Sequence, residues 1–398
     1  MLNKTENKTP YFIFKPKILE KNYKEFEELC ENYLGKEKYV IAYSVKTNSY
    51  NRVIEILNSL GSNFEIASLN EIELICKFTD KFKLIKNKLV VFNGPCKTQE
   101  ELKIAIENRF LINADSKSEI DKIVRILNWD KFDIGLRVSL EESKFGFMFE
   151  EIEDIIDYYK KKNLNISCLS FHQGTQLSIR DFENSLNKIE ALISKINLNN
   201  KLKNLKYIDL GGGFPDKLQM KNLGVSLENY FKLIERYMKK FIDKFNLKII
   251  LEPGRTLVSD AFDLIAKVQV IKQNFGRNYA ILDVGINILS KIALSNYKFS
   301  KLDDSERDRG NIKQVSGSYR AEKEQSSKGR NLLVINKETD KKEYILAGPL
   351  LFKNDILGKF FGSLKEGDLI KIENVGAYCY NLAWEIGYKK PEIFNGNA

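Results

Sequence analysis

Short apolar runs and stretches of helical periodicity alternate through the first two thirds of the chain. The runs are Tyr39 to Val45, Phe64 to Ala67, Leu89 to Phe92, Phe110 to Asn113, Phe132 to Val138, Ile166 to Phe171, Tyr207 to Leu210 and Lys248 to Leu251. Continuous runs of this length suit strands buried on both faces, and the segments between them carry apolar residues three and four apart. Leu227, Tyr230, Phe231, Ile234, Tyr237, Met238, Phe241 and Ile242 line one helix face in this way. Strands joined through helices run parallel, and eight of them predict a closed (β/α)8 TIM-like barrel over residues 17–256.

From Leu257 the pattern changes to Leu264 to Ile271, Tyr279 to Leu282, Glu343 to Leu346 and Asp368 to Ile372, without long helices between. Residues 257–398, joined by 1–16 with its run Tyr11 to Phe14, are expected to form a second, mostly antiparallel β domain. Lys301 to Arg330 has almost nothing apolar to bury, so a flexible surface insertion is expected there.

A chain of 398 residues accommodates two such domains. The apolar content of 43% and charged content of 30% exclude a wholly disordered chain, and no run is long enough to span a membrane. The net charge of +10 comes from bases interleaved with acids, so nucleic acid is not the expected partner. Met1 to Pro10 lacks a secretory apolar stretch and the five cysteines form no C-x-x-C pair, which together predict a cytoplasmic protein with reduced thiols and no structural zinc.

In such a barrel, chemistry gathers at the carboxyl ends of the strands. Lys46 stands there in AYSVKTN, His172 in SFHQGTQ, Gly211 to Gly213 in DLGGGFP, and Glu252 with Arg255 in LEPGR. A lysine ending an apolar strand is costly unless paired or neutral, and a neutral amine forms imines with carbonyl compounds; a solvated rim lysine is the bland alternative. Three glycines let backbone amides approach an anion, although a plain tight turn uses them equally. Glu252 suits a protonated aromatic nitrogen, or else a structural bridge to Arg255. His172 is the only histidine, which excludes a multi-histidine metal centre and leaves a ring that could stack on a cofactor or sit in the core.

Together AYSVKTN, FEIASLNE, SKFGF, FHQGTQ, DLGGGFP, LEPGR and VGAYCY resemble the fold-type III pyridoxal-phosphate decarboxylases, the diaminopimelate, ornithine and arginine decarboxylase family, from Tyr11 to about Phe394. The resemblance implies that Lys46 binds pyridoxal 5'-phosphate covalently, His172 stacks on its ring and Glu252 meets its pyridine nitrogen. It further implies that Gly211, Gly212, Gly213, Arg255, Thr175 and Tyr378 hold the phosphate, and that a homodimer shares its active sites.

Two places depart from the family. In GPLLFKND the usual cysteine, a proton donor, is Leu351 and its substrate-reading neighbour is Phe352, while Asp355 is retained. Where a carboxylate-gripping arginine is usual stands Lys291, which lacks a planar fork. The expected activity is therefore decarboxylation of a non-standard or conjugated amino acid. Alternatives are a decarboxylation-dependent transaminase, a catalytically impaired homologue in mixed dimers, or a cofactor-free lyase of the aldolase kind using Lys46. Tyr380, placed with Tyr378 and Cys379 on an expected strand, is the candidate replacement proton donor.

Overall fold

The computed structural model describes residues 8–77, 88–128, 131–196, 202–290, 295–302, 317–318 and 341–396. The chain divides into two compact units, Ile18–Val258 and a second one built from Met1–Lys17 with Ser259–Ala398. After an initial strand β1 (Tyr11–Phe14), the larger unit runs through β2 (Tyr39–Ser44), β3 (Asn63–Ile66), β4 (Val90–Phe92), β5 (Leu111–Ala114), β6 (Phe132–Ser139), a two-residue β7 (Phe147–Met148), β8 (Leu164–Phe171), β9 (Tyr207–Asp209) and β10 (Lys248–Leu251). All pairs within this unit are parallel. β5 pairs with β6 and β10 with β2, so eight strands close into a barrel with β7 as a side branch on β6.

The strand interiors are apolar for the reason the pattern suggested: both faces are covered. Ala42, Val91, Leu111, Cys168 and Ile250 form one buried cluster drawn from five strands. The helices cover the other face. Pro16–Leu34 buries Leu19, Tyr23, Phe26, Cys30 and Leu34, and Leu227–Phe245 buries Tyr230, Phe231, Leu233, Ile234, Met238, Phe241 and Ile242. Phe26 meets Phe214 and Phe231 edge to face at 5.3 and 5.2 Å. Of the helix face expected from the spacing, Leu227 and Tyr237 stay only half-buried at its margins.

The smaller unit is one sheet with strands β11 (Phe262–Asn274), β12 (Arg277–Leu282), β13 (Lys298–Lys301), β14 (Gly317–Ser318), β15 (Lys342–Ala347), β16 (Ile356–Gly362), β17 (Leu369–Glu373) and β18 (Glu392–Asn395). Its order is β14-β13-β17-β11-β12-β15-β16, with β1 antiparallel to β11 and parallel to β18. Only β12–β15 and β1–β18 are parallel among the described pairs. Lys15 and Lys371 both pair with buried Asp263, at 2.8 and 3.2 Å, which ties β1 and β17 to β11.

Lys301 ends β13, and Gly317–Ser318 pairs with that strand, so the stretch expected to be a loop begins and is interrupted by sheet; its remaining residues from 303 onward lie outside the described ones. Tyr378, Cys379 and Tyr380 are not on a strand. They form a turn in which Tyr378 has φ 67° and its carbonyl accepts the Leu382 amide. Alternation therefore does not govern which way those side chains face. Among the described residues, no helix is long and apolar enough to cross a membrane.

Candidate active site

The carboxyl ends of the barrel strands carry polar side chains inward, and these assemble into one connected group. Lys46 sits in the turn after β2, and its Nζ donates to both oxygens of Glu65 on β3, at 2.7 and 2.6 Å. Glu65 is fully buried while the lysine side chain is 39% exposed, so the ammonium lies at the boundary between core and mouth.

Asn93, following β4, donates to Glu65 Oε1 at 3.2 Å and to Glu252 Oε1 at 2.7 Å, and its own Oδ1 accepts from Asn113 on β5 at 2.9 Å. Asn113 also donates to Asp209 at the end of β9, 3.2 Å, as Ser170 of β8 does at 2.9 Å. The crowding is visible at Gly135: a Cβ there would stand 1.9 Å from Asn113 Oδ1, so the neighbouring strand offers that amide a position without a side chain.

Burial in apolar surroundings raises a carboxyl, whereas a nearby cation lowers it. Burial presses upward on Glu65, but the Lys46 charge and hydrogen bonds from Lys46, Ser44 and Asn93 outweigh it and hold the group below its usual range. Glu252 is pushed well above its usual range by burial first, then by the charges of Asp209 and Glu65. Burial likewise lifts Asp209 to about 6, although the Gly211 amide and Ser170 oppose it.

His172 follows β8, with its Nδ1 beside the Gly211 position. The close surroundings, then the charges of Lys46 and Arg137, bring its pKa down to about 4, so the imidazole is neutral at physiological pH. Arg137 on β6 holds its guanidinium 4.3 Å from the Phe145 ring and 3.8 Å from Asp115.

The glycine turn after β9 fits between these strands because it has no side chains. Gly211 has φ 66°, and a Cβ on it would lie 2.6 Å from the Phe171 carbonyl; one on Gly212 would lie 2.6 Å from the Glu252 carbonyl. The Glu252 amide donates to the Gly211 carbonyl at 2.8 Å, and the Leu177 amide to that of Gly213 at 3.2 Å. The segment carrying exposed Thr175 is thereby laid against the glycines, while Arg255 is buried at the start of the turn Arg255–Val258.

These residues fit a phosphorylated pyridine aldehyde. A neutral flat ring stands at the end of β8, Glu252 is a buried carboxyl whose neighbouring ammonium is engaged by Glu65, and the glycine turn admits only backbone. The buried Oε1 of Gln173, next to His172, has no hydrogen-bond partner among the described residues.

A family model described as pyridoxal-dependent decarboxylase, pyridoxal binding domain, matches residues 19–259. The chain belongs to the pyridoxal-dependent decarboxylase family. It is a pyridoxal-phosphate-dependent carboxy-lyase of amino-acid metabolism, with the barrel fold of that family. It is 29% identical to a diaminopimelate decarboxylase of Haemophilus influenzae over 94% of this chain and 85% of that protein. In fold it is similar to a diaminopimelate decarboxylase of Helicobacter pylori solved with L-lysine, with TM-score 0.76, 22% identity and coverage of 95% and 89% of the two chains. A lysine decarboxylase from Selenomonas ruminantium gives TM-score 0.73 at 23% identity over 98% and 93%.

The structure brings together Lys46, His172, Gly211, Gly212, Gly213, Glu252, Arg255 and the Thr175 segment in the barrel unit. Tyr378, Leu351, Phe352 and Asp355 belong to the sheet unit, and Lys291 lies outside the described residues. The Asp355 carboxylate is engaged by its own chain: Oδ1 accepts from the Ile286 amide at 2.7 Å and Oδ2 from the Leu350 amide at 2.8 Å. It is 2% exposed and organises the turn that presents Leu351, which is fully exposed.

Sequence reasoning passed over Glu65, Asn93, Asn113, Ser170, Asp209 and Arg137. A signal was present: each is a polar residue in or directly after a largely apolar barrel strand, where it must be partnered.

Proposed function

We propose that Lys46 carries the cofactor and that the α-carboxylate of an amino acid is removed above Glu252 and His172. The observation that carries this reading is the Lys46–Glu65 pair at the barrel mouth beside the buried Glu252. Pyridoxal phosphate supplies the sink for the electron pair left at Cα when CO2 departs. Glu65 holds the Lys46 amine at the strand end and takes up its positive charge. Neutral His172 offers a flat face without repelling a cationic ring, and Glu252 lies where it can hold a proton on a ring nitrogen. Gly211, Gly212, Gly213 and Arg255 suit the phosphate, with Thr175 beside them.

The substrate in this reading has a far end more apolar than a second charged amino-carboxylate. The presence of Leu351 and Phe352 in GPLLFKND, where the family's usual cysteine and substrate-reading residue stand, supports it, since neither can grip a charge or deliver a proton. Diaminopimelate is the second reading, favoured by the names of the curated relatives. Exposed Leu351, Phe352, Trp384, Ile386 and Tyr388, with the Phe352 and Trp384 rings 6.1 Å apart, are also an apolar surface suited to a second copy of the chain.

Borohydride reduction of the cofactor-loaded protein followed by peptide mass mapping is expected to label Lys46, and a CO2-release assay across diaminopimelate, lysine, ornithine and bulkier amino acids to rank the last highest. An unlabelled Lys46 refutes the site; turnover confined to diaminopimelate refutes the substrate class.

A further inference from the structure

Two turns meet beyond the carboxyl ends of β8 and β9, residues 172–177 and 210–216, and two glutamines three positions apart tie one to the other. Buried Gln173 donates from Nε2 to the Leu210 carbonyl at 3.3 Å, just ahead of the glycines. Gln176 reaches Asp216, just beyond them, through two bonds: its Nε2 donates to Asp216 Oδ2 at 2.7 Å, and the Asp216 amide donates to its Oε1 at 2.9 Å. Asp216 is itself buried, and its Oδ1 accepts the Gln219 amide at 2.9 Å as the cap of the helix Lys217–Leu223. Between these ties the turns touch directly, since a Cβ on Gly213 would fall 3.0 Å from the Gly174 carbonyl. The backbone is left-handed at Gly174, Gln176, Gly211 and Gly213, with φ of 119°, 55°, 66° and 92°. Among the described residues, the amides of Gly174, Thr175, Gly212 and Gly213 donate to no acceptor.

Unpaired amides on two adjoining turns are the parts of an anion cradle, but glycine has the most conformational freedom to lose and cannot keep them in place by itself. We propose that Gln176 and Asp216 are positioning residues that lock the two turns into one preorganised cradle for the cofactor's phosphate. The proposal rests on the phosphate reading of the glycine turn given above. A phosphate monoester presents three acceptor oxygens, enough to take donors from both turns at once. The polar atoms of Gln176 and Asp216 face one another, so the pair acts through the backbone it holds and not through the anion. Its benefit is that the glycines are ordered before the ligand arrives, which removes that cost from binding. The signature is selective: a broken clamp weakens an aldehyde that carries phosphate and leaves one without phosphate as it was.

Absorbance titration of the full chain with pyridoxal 5'-phosphate and with pyridoxal, which lacks the phosphate, tests this, with circular dichroism to follow the fold of each variant. The natural chain is expected to bind the phosphorylated aldehyde at least about tenfold more tightly. Gln176→Leu removes both bonds, and Asp216→Asn sets an amide against a donor whichever way it turns. Each should weaken pyridoxal 5'-phosphate binding about tenfold or more and change pyridoxal binding by less than about twofold. Gln176→Glu combined with Asp216→Asn exchanges donor for acceptor across the 2.7 Å bond at constant net charge, and should return the affinity to within about threefold of the natural chain. Equal losses for the two aldehydes, or no recovery in the double variant, overturn the proposal. Phosphate preference in the natural chain that survives undiminished in both single variants removes the clamp and leaves the phosphate reading. A natural chain without that preference removes the reading, and the clamp with it.

Discussion

Asn93 is the most exacting place to perturb the barrel interior, because one buried amide serves three partners. Replacing it with alanine removes a donor from Glu65, whose carboxyl is held below its usual range, a donor from Glu252, whose carboxyl is held above it, and the acceptor used by Asn113. A hydrogen bond to a charged group contributes about 1.5–3 kcal/mol and a neutral one about 1 kcal/mol. Asn113 retains Asp209, so its loss stays at the neutral figure. The three losses together predict that Asn93→Ala destabilises the cofactor-free chain by about 3.5–5 kcal/mol at pH 7. Urea unfolding followed by circular dichroism measures it. Because Glu252 is one of the partners, Asn93→Ala combined with Glu252→Gln should cost less than the sum of the two changes, with a coupling of at least about 0.5 kcal/mol. A loss for Asn93→Ala below about 1 kcal/mol, or strict additivity, would show that the network described here does not bear on stability.

The folded chain holds His172 near 4 against an ordinary 6.5, so between those values the unfolded chain binds a proton that the folded one does not. Its contribution is fully present above pH 6.5 and is lost as pH falls to 4; His172→Phe should flatten this acid limb in thermal melts, and an unchanged limb contradicts the assignment. Asp209 acts in the opposite sense: raised to about 6, its contribution is present below its ordinary 3.8 and fades as pH rises through 6. Gly212→Ala places a Cβ against the Glu252 carbonyl and should weaken pyridoxal phosphate binding at least about tenfold, near 1.4 kcal/mol, in absorbance titrations. Wild-type affinity in that variant would remove the glycine turn from the site. Asp355→Ala strips the acceptors from two backbone amides, so hydrogen exchange at Ile286 and Leu350 should accelerate; retained protection would mean that the carboxylate does not hold that turn.

The barrel was legible because its strands are buried on both faces and therefore leave uninterrupted apolar runs at regular spacing. The sheet unit was less so. β18 is four residues long and finds its parallel partner β1 at the far end of the chain, a pairing that no local pattern encodes. β16 alternates burial irregularly, as Ile356 and Phe361 face outward while Leu357 and Phe360 are buried, which masks the two-residue period. The turn at Tyr378 was misjudged as a strand because VGAYCY is apolar and aromatic, and only the backbone shows φ 67° at the tyrosine.

For the candidate site, reading strand ends singled out Lys46, His172 and Glu252, because those positions are polar after apolar runs. Glu65, Asn93, Asn113, Ser170 and Asp209 follow the same rule one step earlier, within or just beyond five different strands, yet their meaning depends on the ring closing. An isolated Asn113 beside Ile112 suggests a solvated strand end. Once β5 pairs with β6 and β10 with β2, it becomes a bridge between Asn93 and Asp209 at the centre of a barrel. The chemistry is written in the strands residue by residue, but the charge balance that pushes Glu252 up and holds Glu65 down arises only when eight strands bring hydrogen-bonding residues to within about 3 Å of their partners.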